Sequence, residues 1–198
     1  MSKDKSQVKA VEGADRRGLL RGALALGIAG TLGGGSVAGA ASDPRRERPQ
    51  PGDVLVFAAG DRKGEPITVE DVPVAARPLL AFPKDPGSDT VRDGSRLNQI
   101  TLVRVEPADL SDETREAAVE GVVAYSAVCT HQGCPISMWK SETATLFCSC
   151  HGSEYDPADA ANVLVGPATR RLAMLPLGLE NGVLVATGEF IGRVGFQR

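Results

Sequence analysis

Apolar residues along this chain fall into two unlike regimes. From Gly22 to Ala41 they form one stretch with no charged residue, whereas from Asp53 onward they come in short runs broken by turn signals. Those runs are Val54 to Ala58, Leu79 to Phe82, Ile100 to Val105, Val122 to Ser126, Thr145 to Phe147 and Val183 to Thr187, each rich in β-branched or apolar residues as strands are. Asn181-Gly182 ahead of the last run has the form of a type I′ hairpin turn. A single helix is expected, Ala108 to Val119, whose acidic residues at the start suit the helix dipole. Residues 53–198 are one domain's worth of chain, and the pattern predicts an all-β, antiparallel fold for them.

The first regime has the make-up of a targeting or anchoring segment, over residues 1–41. Arg16 and Arg17 precede the apolar run and have the form of a twin-arginine export signal; the alternative is a chance arginine pair flanking a membrane helix. Twenty residues at about 1.5 Å each would span roughly the 30 Å hydrocarbon core. Seven of them are glycine, however, and Ala38-Gly39-Ala40 resembles a small-residue cleavage site. The expectation leans to a retained anchor. Residues 42–52, with Pro44, Pro49 and Pro51, are expected to be an extended Pro/Arg-rich linker acting as a tether.

A net charge of −3 over 198 residues gives no reason to expect a nucleic-acid partner. The four cysteines and two histidines are more telling, because all six fall in two boxes: Cys129-Thr130-His131-Gln132-Gly133-Cys134 and Cys148-Ser149-Cys150-His151-Gly152-Ser153. Each box offers thiolate and imidazole ligands at close range, the donor set of a two-iron centre in which two histidines replace two cysteines. Tetrahedral zinc also takes these donors, and Cys129 and Cys134 have its Cys-x2–4-Cys spacing, but no His-x3–5-His pair accompanies them. A domain stapled only by disulfides would leave both histidines beside cysteines by accident. A c-type haem needs Cys-x-x-Cys-His, and the second box is one residue short of it.

The boxes resemble the cluster-binding fragment of high-potential Rieske proteins, such as those of cytochrome bc complexes. The resemblance is strongest from Val122 to Ala168. It implies an antiparallel Rieske-type β-sandwich with a small inserted cluster-binding subdomain, about 122–168, and one [2Fe-2S] cluster per chain. By position, Cys129 and Cys148 would hold one iron, His131 and His151 the other, and Cys134 would form a disulfide with Cys150. Such a disulfide suits an exported protein, on the periplasmic or outer face of a bacterial inner membrane. Ser153 and Tyr155 stand where the family places donors to a bridging sulfide and to the first cysteine sulfur, and Gly166-Pro167-Ala168 resembles its cluster-covering proline loop. Ser153 capping a turn and Tyr155 packing under the loop are the plainer alternatives.

Two thiolates and two imidazoles leave the oxidised centre with a formal charge of about 0, against about −2 for four thiolates, so an electron enters more easily. Midpoints for such centres lie between about −150 and +300 mV, and hydrogen bonds to the sulfurs place this one in the upper part. Imidazole ligands also couple reduction to a proton at alkaline pH. No histidine is left for an oxygenase iron, and no nucleotide or flavin fingerprint occurs. The chain is therefore expected to carry electrons without a catalytic site of its own, between a larger redox subunit and a c-type cytochrome. The larger subunit would be cytochrome b in a quinol-oxidising complex, or a molybdopterin subunit resembling that of arsenite oxidase; a stand-alone exported Rieske electron carrier is the third reading. Gln132 and Ser149 depart from the leucine and proline common in the bc family.

Overall fold

A computed structural model describes residues 42–196. Arg16, Arg17 and the apolar run from Gly22 to Ala41, read above as export signal and anchor, lie outside the described residues. The strands are β1 (Val54–Phe57), β2 (Leu79–Asp85), β3 (Thr90–Val91), β4 (Ile100–Arg104), β5 (Val122–Ser126), β6 (Met138–Lys140), β7 (Thr145–Cys148), β8 (Ser153–Asp156), β9 (Asn162–Val165), β10 (Met174–Leu175), β11 (Leu177–Glu180) and β12 (Val183–Ala186). Every strand pair among them is antiparallel.

The large sheet runs β10-β5-β4-β2-β1-β12-β11, with β3 added to β2. Its two ends, β10 and β11, are separated in sequence by Pro176 alone. Neighbours in the chain thus hold opposite ends of the sheet, so the sheet must curl back on itself. Inside the curl lie Leu55, Ile67, Ile100, Leu102, Ala124, Leu175 and Leu184. The other face, with Val103, Val123 and Tyr125, packs under the second sheet, β6-β7-β8-β9. Strand β5 serves both cores, Ala124 on one side and Val123 and Tyr125 on the other, and all five of its residues are buried. That double burial explains its unbroken apolar run.

The small sheet is inserted between β5 and β10, which pair with each other through Met174↔Tyr125 and Leu175↔Ala124. The insertion is as the resemblance implies, but Val122–Ser126 belongs to the large sheet and not to the cluster-binding part. Tyr125 bolts the two together, its hydroxyl donating to the Pro157 carbonyl at 2.8 Å.

The helix is shorter than expected. Helix α1 covers Asp112–Glu116, with the Ser111 hydroxyl accepting from the Thr114 N–H at 3.3 Å as its N-cap. It stops because Val119 and Val122 exchange backbone hydrogen bonds around a tight turn whose Glu120 and Gly121 have φ of 48° and 83°. A Cβ on Gly121 would stand 2.2 Å from the Val105 carbonyl oxygen, so glycine is required there. The Asn181-Gly182 turn is as expected, with φ of 50° and 83° joining Glu180↔Val183.

Residues 42–52 are not the free tether expected of them. Pro44–Arg46 form a 3-10 turn capped by Asp43, Gly94 donates to the Arg45 carbonyl, and Asn98 Nδ2 donates to the Glu47 carbonyl. The anchor for this docking is Arg92, which pairs with Asp53 at 2.7 Å and with Glu47 at 2.7 Å. Proline content signalled an extended segment, and the charges that dock it are 39 and 45 residues away in sequence. Asp53 and Arg92 are both almost fully enclosed, whereas Glu47 is half-exposed. Asp53→Ala would strand a buried guanidinium and is expected to cost about 3–5 kcal/mol, while Glu47→Gln should cost no more than about 1 kcal/mol. Thermal and denaturant unfolding of the two variants checks the difference.

Candidate metal centre

Both boxes are hairpin loops, and glycine closes each of them. In the first, the Cys129 N–H donates to the Cys134 carbonyl at 2.8 Å and the Gly133 N–H returns to the Cys129 carbonyl at 2.9 Å, with Gly133 at φ 77°. In the second, Cys148 pairs with Ser153 across the β7–β8 hairpin and the Gly152 N–H donates to the Cys148 carbonyl at 3.0 Å. Cys134 and Cys150 form a disulfide with Cα atoms 6.5 Å apart, tying loop to loop. The expected pairing is thus the one observed.

The bridge brings the other four candidates together. Cys129 and Cys148 are unpaired and buried, 2% and 1% exposed. The His131 and His151 rings meet edge to face with centroids 4.7 Å apart, His151 towards solvent. Burial pushes the Cys148 thiol up, the Cys150 N–H opposes that, and the adjacent Cys129 sulfur raises it further. The Cys148 sulfur in its buried pocket therefore resists ionising unless positive charge lies beside it.

A third wall comes from the loop after β9. A Cβ on Gly166 would stand 2.6 Å from Ser153 Cα and 2.7 Å from the Gly152 carbonyl oxygen, so only glycine lets this loop lie on the second box. Ser153 is fully buried and its Oγ accepts from the Ala168 N–H at 3.2 Å, which leaves the hydroxyl proton free to donate elsewhere. The Tyr155 hydroxyl, also fully buried, lies 3.2 Å from Cys129 Sγ and accepts from the Thr130 N–H at 3.3 Å. Pro167 is exposed at the rim.

Three of these observations test whether a metal group fits. The His131 Nδ1 atom is buried with no hydrogen-bond partner, an unmet acceptor or ligand atom facing inward. Beside it stand two buried thiols and a second imidazole, a soft sulfur pair and a nitrogen pair. The sulfurs of Cys134, Cys148 and Cys150 also lie within 4.8 Å of one another, but two of them are joined in the disulfide and offer no thiolate. The donors available are thus Cys129, Cys148, His131 and His151.

The Rieske [2Fe-2S] domain family matches residues 91–176. The cytochrome bc1 complex Rieske iron-sulfur subunit of Streptomyces lividans is 38% identical over 138 residues, covering 66% of this chain and 79% of that protein. The chain belongs to the Rieske [2Fe-2S] family. The corresponding subunit of Streptomyces coelicolor is 38% identical over 66% of this chain but only 38% of its own length. A Haloferax mediterranei protein named as a respiratory nitrate reductase Rieske subunit is 43% identical over 106 residues, 52% of this chain and 47% of that one. The Rieske chain described here thus spans less than half of these last two relatives.

Several residues that shape this Rieske centre were not singled out from the sequence. Thr130 joins Tyr155 to the loop after Pro167, its backbone N–H donating to the Tyr155 hydroxyl and its own hydroxyl to the Arg170 carbonyl. Arg170 in turn holds the Arg193 and Gly195 carbonyls, and the Phe196 ring lies against Gly133. Thr130 carried a signal, lying inside a box; Arg170 and Phe196 carried none, because their contacts are set by chain folding over 20 residues and more. Removing one donor near the sulfurs should selectively destabilise the reduced state. Ser153→Ala and Tyr155→Phe are each expected to lower the midpoint by on the order of 50–100 mV, the equivalent of a charge-assisted hydrogen bond of about 1.5–2 kcal/mol. Voltammetry of the two variants measures it.

Proposed function

We propose that this chain is the one-electron transfer subunit of a quinol-oxidising, cytochrome bc-type complex, on the outer face of a bacterial inner membrane. The observation that carries the reading is the 38% identity to a bc1 Rieske subunit over 79% of that subunit's length. The site supports it: hydrogen-bond donors surround the sulfur side, and His151 reaches solvent where a partner can approach.

In this reading Cys129 and Cys148 supply thiolates to one iron, and His131 and His151 supply imidazole nitrogens to the other. When bound, the [2Fe-2S] cluster supplies a one-electron couple at high potential. The chain's own residues do the rest. The Cys134–Cys150 disulfide holds the ligand loops in register, and Gly166 seats the covering loop that excludes water from the Ser153 side. Tyr155 and Ser153 direct O–H donors at the sulfurs, favouring the electron-rich state. The exposed edge of His151 is the exit for the electron and, at alkaline pH, for the coupled proton. Export would follow the twin-arginine route through Arg16 and Arg17, since that route is associated with folded cargo. The apolar run from Gly22 to Ala41 would remain as the membrane anchor.

A second reading has its own support. The Haloferax mediterranei relative named for a nitrate reductase is 43% identical over 106 residues, which speaks for a Rieske subunit serving a different large oxidoreductase. A polar Gln132 beside His131, exposed at the tip, fits a polar docking surface better than an apolar quinone pocket. Affinity purification of the native complex separates the two. The first reading predicts a co-purifying cytochrome b and quinol–cytochrome c activity abolished by a bc-site inhibitor. Inhibitor-resistant activity with a molybdopterin subunit in place of cytochrome b would establish the second.

A further inference from the structure

Box 1 is overlaid by a cationic surface that the electron-transfer site does not use. Arg46, Gly94, Ser95, Arg96, Leu97 and Phe196 line a cleft of about 420 Å³ that reaches Gly133. Arg48, Glu189, Phe190 and Arg193 line an adjoining cleft of about 480 Å³, and Leu97 and Phe196 form the ridge between the two. Four arginines therefore converge on one aromatic side chain, against a single carboxylate, on a chain whose net charge is −3.

The arginines are free to meet something else. All four are exposed, and none makes an ion pair with a carboxylate among the described residues. Arg48 donates to the Leu97 carbonyl and Arg96 to the Gly133 carbonyl, contacts that steady the guanidinium groups without neutralising them. Nearby acids are already engaged: Asp93 with Arg45, Glu47 with Arg92. Phe196 is 41% exposed although it packs on Gly133, where a Cβ would come within 2.8 Å of the ring.

Position in the chain identifies what covers this face. The uncharged run ends at Ala41, five residues before Arg46. Five residues of extended chain reach at most about 18 Å, so a bilayer holding that run keeps Arg46 and Arg48 within reach of its headgroups. Guanidinium groups around an exposed aromatic ring suit the headgroup layer, the cations meeting phosphate and the ring entering the acyl boundary. We propose that the face formed by Arg46, Arg48, Arg96 and Arg193 around Phe196 seats on anionic phospholipid headgroups and turns the box 1 side of the centre toward the membrane surface. This assignment rests on the reading of residues 22–41 as a retained anchor.

The test uses the full-length chain with Phe196→Trp, reconstituted in nanodiscs of phosphatidylcholine alone or mixed with phosphatidylglycerol, each doped with a headgroup-nitroxide lipid. The signal is the extra tryptophan emission relative to the unsubstituted chain, which already contains Trp139. Quenching is expected in the phosphatidylglycerol discs, with loss at about 0.5 M salt, where the Debye length falls to a few ångströms. Arg46→Gln with Arg193→Gln, both exposed side chains, should reduce it to the phosphatidylcholine level. Equal quenching in both lipids, or none in either, overturns the proposal. Arginine-dependent binding of an acidic c-type cytochrome with no response to lipid overturns it too, assigning the face to a protein. Mass spectrometry of the mature N-terminus reads the anchor separately. If the chain is processed beyond Ala41, the anchor reading fails, and the same probe on the processed chain with added vesicles decides the lipid contact: phosphatidylglycerol-dependent quenching sustains it and its absence overturns it.

Discussion

Two buried thiols beside an inward-facing, unpartnered imidazole nitrogen are the constraint around which this Rieske domain is organised. Both features call for an electron-poor partner at the site: burial opposes ionisation of the Cys148 sulfur, and His131 Nδ1 has no hydrogen-bond partner among the described residues. Such a donor set needs a rigid frame, because the loops that carry it would otherwise relax and bury less. The frame comes from elements of different kinds. The disulfide fixes loop to loop, Gly166 allows the third loop to lie within contact of Ser153, and Tyr125 and Tyr155 tie the small sheet to its surroundings with buried hydroxyls.

The same frame explains why the large sheet must curl. Strand β10 returns the chain from the cluster-binding insertion to β5, and Pro176 immediately redirects it into β11 at the opposite end of the sheet. The insertion is thus held at both ends by one buried strand, β5, whose two faces serve two cores. Electron-transfer geometry depends on that arrangement, since a shift of β5 would move the first box directly: the Ala127 carbonyl accepts from the Ile136 N–H and the Ala127 N–H donates to the Gln99 carbonyl.

What could be read from sequence divides along physical lines. The ligand boxes were legible because cysteine and histidine are scarce here and their chemistry is specific, and Val122–Ser126 was legible because a strand buried on both faces is an unbroken apolar run. Strands β6, β8 and β9 were not: Met138–Lys140 and Ser153–Asp156 mix charge with aromatic residues, since one face of their sheet packs inward while the other carries the Lys140–Glu154 pair. Leu164 and Val165 on edge strand β9 are exposed, against the ordinary expectation for apolar residues. The linker was misread for a different reason: proline announces an extended backbone but says nothing of a distant Arg92 that docks it. Long-range ion pairs leave no local periodicity.

The proposed ligation of one iron by two imidazoles is the centre of the account, and dependence of the midpoint on pH tests it most directly. Protein-film voltammetry across the neutral-to-alkaline range should show a midpoint that is flat at first and then falls, approaching about 59 mV per pH unit as each electron becomes coupled to one ligand-borne proton. The fall should disappear, with the cluster lost or its potential lowered towards the four-thiolate range, in His131→Cys and His151→Cys. A midpoint independent of pH throughout the alkaline range would contradict histidine ligation and with it the assignment of the site.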